Sequence, residues 1–480
     1  MPDHRLEERR VNPGGQRPPG ALVRITLLAV TVLGTMCNNV VNVPLRSIAT
    51  DLDASVASSV LCVSAFVLTL AVAMPLAGWL GDRVGMKRAL VWALVLMLVA
   101  QVLAAVAPNL PALIALRALQ GLACSAIPPM VMGLLAGFYP GRMTRMMGAW
   151  AAANGIGQAI GPPTGGVVAD LLGWRYIFAI LAVACAVVIA GMWRLVPALP
   201  PRPSPLHLPG AILLTSGVGL VLVALTAAAQ RSFPLAATSA MAVTGVLCVL
   251  GYGVVSRGRV TAIVPVALML ESRFLRSSLA AFAQMFMLGS VLVALPLFFT
   301  GPLDMSPGVA GMVFFTLPLV MAVSAPVVSR LSDRKSPRLV LRSGLLIIIL
   351  AAAGIGLAAS HGVGSGVRAT IVALMVLAGL GMAMVQTPAA AGAARSPAGR
   401  YGAALGVFSM LRFSGSGAAA AWVALVYPHG AYLVLFLGCA VVACCGLAAT
   451  FVGPDPAADP GPGPGSRDAM RTVGQVTPSV

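Results

Sequence analysis

Charged side chains are scarce in this sequence. Asp, Glu, Lys and Arg make up 9% of its 480 residues, whereas hydrophobic residues make up 59% and the mean hydropathy is +0.95. A soluble domain needs far more charge to cover its surface, so this composition excludes that class. Apolar runs recur along the chain, each long enough to cross about 30 Å of hydrocarbon as a helix. We therefore predict an all-α polytopic membrane protein.

Metal-ligand and disulfide patterns are also missing. The four histidines all fall in predicted loops or tails, which argues against a metal site inside the membrane. The eight cysteines lie within apolar runs and show neither metal-ligand spacing nor a disulfide framework. Since no His or acid set lies in the predicted spans, we expect no metal, no cofactor and no enzymatic activity.

Acidic residues are absent from the predicted spans, because all 13 fall in loops or tails. The net charge of +18 would suit a nucleic-acid partner, but the basic residues cluster in alternate loops. Of the 31 basic residues, 25 lie in the two termini and in the loops predicted on the same side of the membrane. Four lie in loops on the opposite side, and two lie within spans. The positive-inside rule predicts cytoplasmic N- and C-termini and no nucleic-acid partner.

The apolar runs predict fourteen transmembrane helices arranged as six, two and six. A Pro-rich break, PALPPRPSPLHLP, separates the first six from the middle pair. The predicted segments are a cytoplasmic tail (1–21), a six-helix half (22–196), a linker with two extra helices (197–264), a second six-helix half (265–453) and a disordered cytoplasmic tail (454–480).

One charged loop, GWLGDRVGMKR at 78–88, recurs in degenerate form 251 positions later. The repeat predicts two related halves, as in a secondary transporter that rocks around a central site. Gly78 and Gly85 permit a tight turn, and Asp82 is expected just before a helix start. Ser329 replaces Gly78 in the second copy, so the second loop should be looser. The alternative is a turn that only sets topology.

The loop resembles the signature G-x-L-a-D-r-x-G-r-k of the major facilitator superfamily. ALRALQGLACSA resembles its R-x-x-q-G element, and GIGQAIGPPTGG at 155–166 resembles the G-P-x-x-G-G element of its exporters. WRYIF and SPGVAGMVFFTLP resemble its fourteen-span drug:proton antiporter branch. The resemblance implies a major facilitator fold and a monomeric efflux transporter for antibiotics or other drugs. It would lie in the bacterial cell membrane and be driven by protons through alternating access.

The resemblance also implies a gating role for the loops, in which Asp82 and Arg83 help to stabilise the outward-facing state. The gating residues are Gly78, Asp82, Arg83, Gly85, Lys87, Asp333 and Arg334.

A stripe of small residues lies in the fifth predicted helix. Gly157, Gly161 and Gly165 are spaced four apart, so another helix can pack closely against them. Pro162 and Pro163 remove two amide donors and should bend the helix before Gly166. Close packing is the simple interpretation. The resemblance adds that this helix closes one side and disfavours leak, as in exporters.

Two arginines, Arg117 and Arg412, fall within predicted spans. A charge at mid-bilayer costs about 2.5–3.5 kcal/mol, so such a residue normally faces protein or water. Each could line a cavity, or could instead be bound to backbone carbonyls or reach an interface. The candidates for a substrate or proton cavity are Asn38, Asn42, Arg117, Gln120, Asn154, Gln158, Gln284 and Arg412.

Similar transporters carry an Asp in the first span, where this chain has Cys37 in CNNVVNVPLR. Arginine does not readily release a proton, so Asp51, Asp53 or an ionisable substrate would have to carry it. A cavity with arginine and no acid favours an anionic or polar natural product over a lipophilic cation. The alternatives are an anion uptake symporter and a non-transporting membrane sensor.

Overall fold

The computed structural model describes residues 20–201, 207–230, 233–257, 259, 262–305, 307–362 and 364–453. Most of the predicted N-terminal tail and the predicted tail from 454 lie outside these residues. All regular secondary structure in the described ranges is helical, without a β-strand.

Fifteen long helices form the fold in the described part of the chain. Those of the first half are α1 (Ala21–Asn39), α2 (Leu61–Val84), α3 (Met86–Ala105), α4 (Leu110–Cys124), α5 (Ile127–Phe138), α6 (Met143–Leu171) and α7 (Trp174–Leu195). The middle pair is α8 (Leu208–Gln230) and α9 (Leu235–Val255). The second half contains α10 (Ser272–Thr300), α11 (Pro307–Arg334), α12 (Pro337–Ser360), α13 (Ser365–Arg395), α14 (Gly402–Val426) and α15 (Tyr432–Ala449).

Twelve helical segments of the described chain are long and apolar enough to cross a membrane, with α4 and α5 together forming one of them. The other two long helices, α6 and α14, contain 29 and 25 residues and are rich in glycine. Within the single span Leu110–Phe138 the helix is interrupted, because α4 ends at Cys124 and α5 begins at Ile127. Pro128 and Pro129 at the start of α5 lack the amides that would extend α4 into it.

The middle pair packs over the line where the two halves meet. Gly217 of α8 lies against Gly245 of α9, where an added Cβ would come within 2.9 Å of a carbonyl oxygen. Further along α8, Gly219 faces Val72 of α2 and Leu222 faces Gly417 of α14. The inserted pair therefore contacts one helix from each half.

The two halves contact each other mainly through α2 with α14 and α6 with α11. We call the end of the bundle formed by 78–88, 140–148, 326–334 and 395–406 the loop end. Helices α2 and α11 finish there, and α6 and α14 begin there. The close contacts between the two halves that are described below lie at or near this end, so it is the closed end of the bundle.

Candidate functional site

Asp82 is a buried carboxylate at the loop end, with 2% of its surface exposed. Its Oδ1 accepts a hydrogen bond from the Gly402 amide at 2.8 Å, and its Oδ2 accepts one from the Ala403 amide at 3.1 Å. These amides begin α14 and have no acceptor within their own helix. A carboxylate of the first half therefore caps a helix of the second half, where the helix dipole favours negative charge.

The sequence-based placement of Asp82 before its own next helix is wrong. Asp82 belongs to the last turn of α2, and α3 starts only after Gly85, whose φ is 97°. The left-handed conformation at Gly85 suits glycine, as the sequence suggested. The helix that Asp82 caps is α14, which lies 320 positions further along the chain.

Helices α2 and α14 touch backbone to backbone beside this cap. A Cβ atom placed on Gly402 would lie 2.7 Å from the carbonyl oxygen of Gly78, and one on Gly406 would lie 2.8 Å from the Cα of Pro75. Real Cβ atoms essentially never come this close. Gly78 therefore matters for the approach of α14 rather than for the turn.

The second loop makes a different contact at the equivalent place. Ser329 aligns with Gly78, and its Oγ donates to the Thr144 carbonyl at 3.3 Å. Asp333 and Arg334, by contrast, are exposed. The start of α6 explains the difference, because α6 begins at Met143, more than one turn before Gly148. Ser329 packs against Gly148, which lies beyond the first turn of α6. The amides at that height are already bonded within α6, so none is free to bind the Asp333 carboxylate.

The loop cations bind within their own halves. Lys87 donates to the Trp193 carbonyl at 3.0 Å, and its counterpart Arg338 donates from Nε to the Thr450 carbonyl at 2.6 Å. Both carbonyls lie at the C-terminus of the last helix of the half, where the dipole favours a cation. Arg83 is exposed and lies over the Trp79 ring at 5.4 Å.

The glycine stripe of α6 packs against α1. A Cβ on Gly157 would lie 2.7 Å from the Val32 carbonyl oxygen, and one on Gly161 would lie 3.3 Å from the Asn39 Cβ. A Cβ on Gly165 would lie closer still to the Val40 carbonyl oxygen, and one on Gly166 would meet the Val43 side chain. Helix α6 continues through Pro162 and Pro163 to Leu171. The stripe therefore fixes one helix pair of the first half.

Asn154 adds a polar link to the same helix pair. Its Oδ1 accepts from Thr35 Oγ1 at 3.3 Å, and its Nδ2 donates to the Trp150 carbonyl at 3.0 Å. Asn154 is buried, so these bonds satisfy it within the first half. Its predicted cavity role stays a prediction, and the geometry favours a structural one.

Arg117 lies inside the first half and is fully buried. Its Nε donates to the Cys62 carbonyl at 3.3 Å, and its Nη1 donates to the Cys37 carbonyl at 3.0 Å and to Gln120 Oε1 at 2.9 Å. The guanidinium also lies 4.3 Å from the centre of the Phe66 ring. Of its nitrogens, Nη2 has no hydrogen-bond partner among the described residues. This geometry favours the alternative that Arg117 is bound to backbone carbonyls.

Gln120 continues the network around Arg117. Its Nε2 donates to the Ala100 carbonyl and to Gln101 Oε1, both at 3.2 Å. Gln101 in turn donates to Cys37 Sγ at 3.2 Å. Cys37, which stands where similar transporters carry an Asp, therefore lies within a buried hydrogen-bonded cluster.

The remaining cavity candidates are scattered over the bundle. Asn42 is exposed, whereas Asn38 and Gln158 are half-buried. Gln284 on α10 is fully buried, and neither atom of its amide has a partner among the described residues. The structure therefore does not bring all the predicted polar residues into one site.

Arg412 lies on α14 and is as buried as Arg117, with 1% of its surface exposed. Its Cζ lies 5.2 Å from the centre of the Trp150 ring and 5.1 Å from that of Phe413. None of its three nitrogens has a hydrogen-bond partner in the described part of the chain. Trp150 belongs to α6, so this contact joins the two halves.

Sequence reasoning missed three residues that matter here. Gly402 and Gly406 on α14 accept the close approach of α2, and their spacing of four repeats the pattern recognised in α6. Trp150 is a bulky side chain in a stretch of mostly small residues, GAWAAANGIG. That contrast was the available signal for Trp150.

The family model for the Major Facilitator Superfamily matches residues 26–208 and 277–476. The chain belongs to the Major Facilitator Superfamily. This major facilitator protein is a multi-pass membrane transport protein of the bacterial cell membrane, and the all-helical major facilitator fold predicted from the sequence is confirmed.

Relatives of this major facilitator protein include antibiotic-resistance proteins. It is 30% identical to the methylenomycin A resistance protein of Streptomyces coelicolor, over 70% of this chain and 71% of that protein. It is 28% identical to the puromycin resistance protein pur8 of Streptomyces alboniger, over 85% of this chain and 83% of that protein. These matches confirm the predicted drug-efflux branch.

Among solved structures, the human organic anion transporter MFSD10 (TETRAN) superimposes with a TM-score of 0.69 at 18% identity. The match covers 90% of this chain and 100% of that one. At this identity the likeness shows the fold alone.

The WRYIF segment of the transporter binds an acid at the end opposite to the loop end. Asp51 Oδ2 forms an ion pair with Arg175 and accepts from Trp174 Nε1 at 3.1 Å. The Arg175 guanidinium, together with the Trp174 indole, holds the pKa of Asp51 below its usual value. Asp51 therefore stays ionised near neutral pH, so it is poorly suited to take up and release a proton there.

We expect Asp82→Asn to open the loop end, because a neutral carboxamide would replace the carboxylate that accepts hydrogen bonds from the first amides of α14. Hydrogen bonds to charged groups contribute about 1.5–3 kcal/mol, so the ratio of closed to open molecules should fall about tenfold or more. The measurement is the alkylation rate of Ser329→Cys in a protein with Cys444 and Cys445 replaced by serine. Asp333→Asn is the matched control and should leave the rate unchanged. Equal effects of the two changes would contradict a latch specific to Asp82.

We expect Gly157→Ala to destabilise the transporter by about 1–3 kcal/mol, since its Cβ would overlap the Val32 carbonyl. Gly253→Ala in α9 is the matched control, because no atom lies within 4 Å of an added Cβ there. Alanine favours a helix by up to about 1 kcal/mol over glycine, so the control should be neutral or stabilising. Thermal unfolding in detergent measures both, and a stable Gly157→Ala protein would refute close packing with α1.

We expect Asp51→Asn to leave the pH profile of transport unchanged between about pH 5.5 and 8. A lowered pKa means that the Asp51 contribution to stability is present above the ordinary value near 3.9 and is lost only as the pH falls through the lowered pKa. The profile is measured by flux at several pH values, and Asp53→Asn, which removes the other acid of the same loop, is measured in parallel as the alternative proton carrier. A shifted profile for Asp51→Asn alone would assign the proton to Asp51.

Proposed function

We propose that this transporter exports a small organic molecule from a bacterial cell by alternating access driven by the proton gradient. The proposal is carried by the similarity to two antibiotic-resistance proteins over 70% and 85% of this chain. Export of a toxic compound is the direct way for a membrane transporter of this kind to confer resistance.

We infer fourteen spans, with α6 and α14 crossing the membrane beside the twelve more apolar segments. Their lengths of 29 and 25 residues exceed the roughly 20 needed to span. Both pack along spans of the opposite half, α6 against α11 and α14 against α2. Their glycine content lowers the hydropathy but permits this close packing.

The loop end is proposed to face the cytoplasm, together with both termini. The excess of basic residues in the loops of this face supports that orientation. Closure by Asp82, Gly78 and Gly402 then corresponds to a state that is shut on the cytoplasmic side. Such a state prevents a substrate from returning to the cytoplasm.

The proton is proposed to travel with the substrate or through Asp53, and the transporter to act as a monomer. Asp51 is bound to Arg175, and Asp82 is bound to the start of α14. The predicted spans lack a free carboxylate of the kind that similar transporters use. An ionisable substrate that leaves in exchange for a proton would meet the requirement.

We expect everted membrane vesicles containing the transporter to accumulate methylenomycin A or puromycin when the lumen is acidified. A protonophore should abolish the accumulation, and vesicles without the transporter should show none. Accumulation in right-side-out vesicles instead would indicate uptake, and no flux of either compound in either orientation would contradict drug export.

A further inference from the structure

We propose that Arg412 and Trp150 form the binding site for a carboxylate or a similar small anion. The site lies where α14 of the second half meets α6 of the first. The inference rests on the proposed export function and names the chemical class of the exported compound.

The unpartnered atoms at this site need an acceptor. Arg412 Nε, Nη1 and Nη2 and Trp150 Nε1 are all buried without a hydrogen-bond partner among the described residues. Guanidinium and indole groups can only donate hydrogen bonds. Nearly all buried polar groups in proteins are hydrogen-bonded, so four unpaired donors on two touching side chains are a strong exception. The missing group must therefore supply oxygen lone pairs.

The missing group must also carry negative charge. The Trp150 and Phe413 rings lie 5.2 and 5.1 Å from the guanidinium carbon and offset only part of the cost of burying a cation. Asp82, on the first amides of α14, is about 15 Å away at 1.5 Å per residue. A carboxylate matches the guanidinium in a bidentate pair and would neutralise it.

One further hydroxyl lies on the same side of α14. Ser409 precedes Arg412 by three residues, so the two share a helix face. Its Oγ is also buried and without a partner in the described chain. It can donate to a second oxygen of an anion held by Arg412.

Arg117 provides the contrast that separates a ligand site from a structural arginine. Both residues are buried to within 1% of their surface. Arg117 donates to two carbonyls and to Gln120 Oε1, whereas Arg412 donates to no described residue. The first half thus supplies acceptors for two of the three nitrogens of its arginine, whereas the second half supplies none for Arg412 among the described residues.

The position of the site links binding to transport. An anion on Arg412 that also meets Trp150 touches both halves, so it would be held only while α6 and α14 are close. Arg412 is 1% exposed in this state, so the bundle must open before an anion enters or leaves. The affinity for the anion should therefore change as the two halves move relative to each other during the transport cycle.

The first test compares the thermal stability of two substitutions without added anion. Arg412→Met replaces an unpaired buried cation by an apolar chain of similar length, so the Tm should rise by several degrees. Arg117→Met removes three hydrogen bonds, so its Tm should fall. A fall for Arg412→Met would mean that protein groups or water satisfy Arg412, and the proposal would be wrong.

The second test measures binding to the purified transporter in nanodiscs without any gradient. Benzoate and 4-nitrobenzoate should raise the Tm of the native protein in a saturable way, whereas benzamide and 4-nitrobenzamide should not. Arg412→Gln should weaken the carboxylate effect at least tenfold, Arg412→Lys should keep part of it, and Trp150→Leu should reduce it.

An effect that survives in Arg412→Gln, equal effects of acids and amides, or no effect of either carboxylate would overturn the site. Because the measurement needs no flux, failure of proton-driven export would leave these results intact. Conversely, export without carboxylate binding would overturn the site alone.

Discussion

The structure depends on the contact of two helix backbones at Gly78 and Gly402. Neither residue has a Cβ, so α2 and α14 approach until only glycine fits. At that distance Asp82 reaches the first two amides of α14 and neutralises the positive end of its dipole. At the equivalent place on α6, Ser329 packs against Gly148 and donates to the Thr144 carbonyl, and Arg395 donates to the Thr144 hydroxyl, so no carboxylate caps a helix there. Closure of the loop end is therefore asymmetric, although the two halves repeat each other.

The same asymmetry extends to the buried charges. In the first half, Arg117 is held by carbonyls and by Gln120, so its charge stabilises a fixed arrangement of α1, α2 and α4. In the second half, Arg412 faces aromatic rings and no acceptor among the described residues. In a bundle whose predicted spans lack acids, an unpaired guanidinium makes the interior attractive to anions. The proposed anionic substrate would then supply the negative charge that the predicted spans lack.

The sequence predicted the helices well because length and hydropathy decide which segments enter a membrane. It also predicted the two halves and the charged loop, since the repeat is visible in the residues themselves. It did not predict the partner of Asp82, because that partner is a pair of backbone amides about 320 positions away. Every residue except proline has a backbone amide, so a sequence does not show which amides a side chain will reach. The break after Cys124 was signalled by Pro128 and Pro129 but was missed within a long apolar run.

The arginines show a second limit of sequence reasoning. Arg117 and Arg412 both lie within apolar segments, and nothing in their neighbours tells which one finds acceptors. That difference depends on where the carbonyls of Cys37 and Cys62 lie after folding. Trp150, whose ring meets Arg412, is equally invisible as a partner because it lies in the other half.

The central claim is that the two halves are closed at the loop end in the state described here, and we expect them to lie further apart at the opposite end. The most direct measurement is the pair of distances between spin labels in nanodiscs. One pair is placed at Arg142 and Arg334, at the loop end, and the other at Arg46 and Asp304, at the opposite end, with Cys444 and Cys445 replaced by serine. The account predicts a single short distance at the loop end and a broader, longer distribution at the other. A long distance at the loop end with a short one at the opposite end would contradict it.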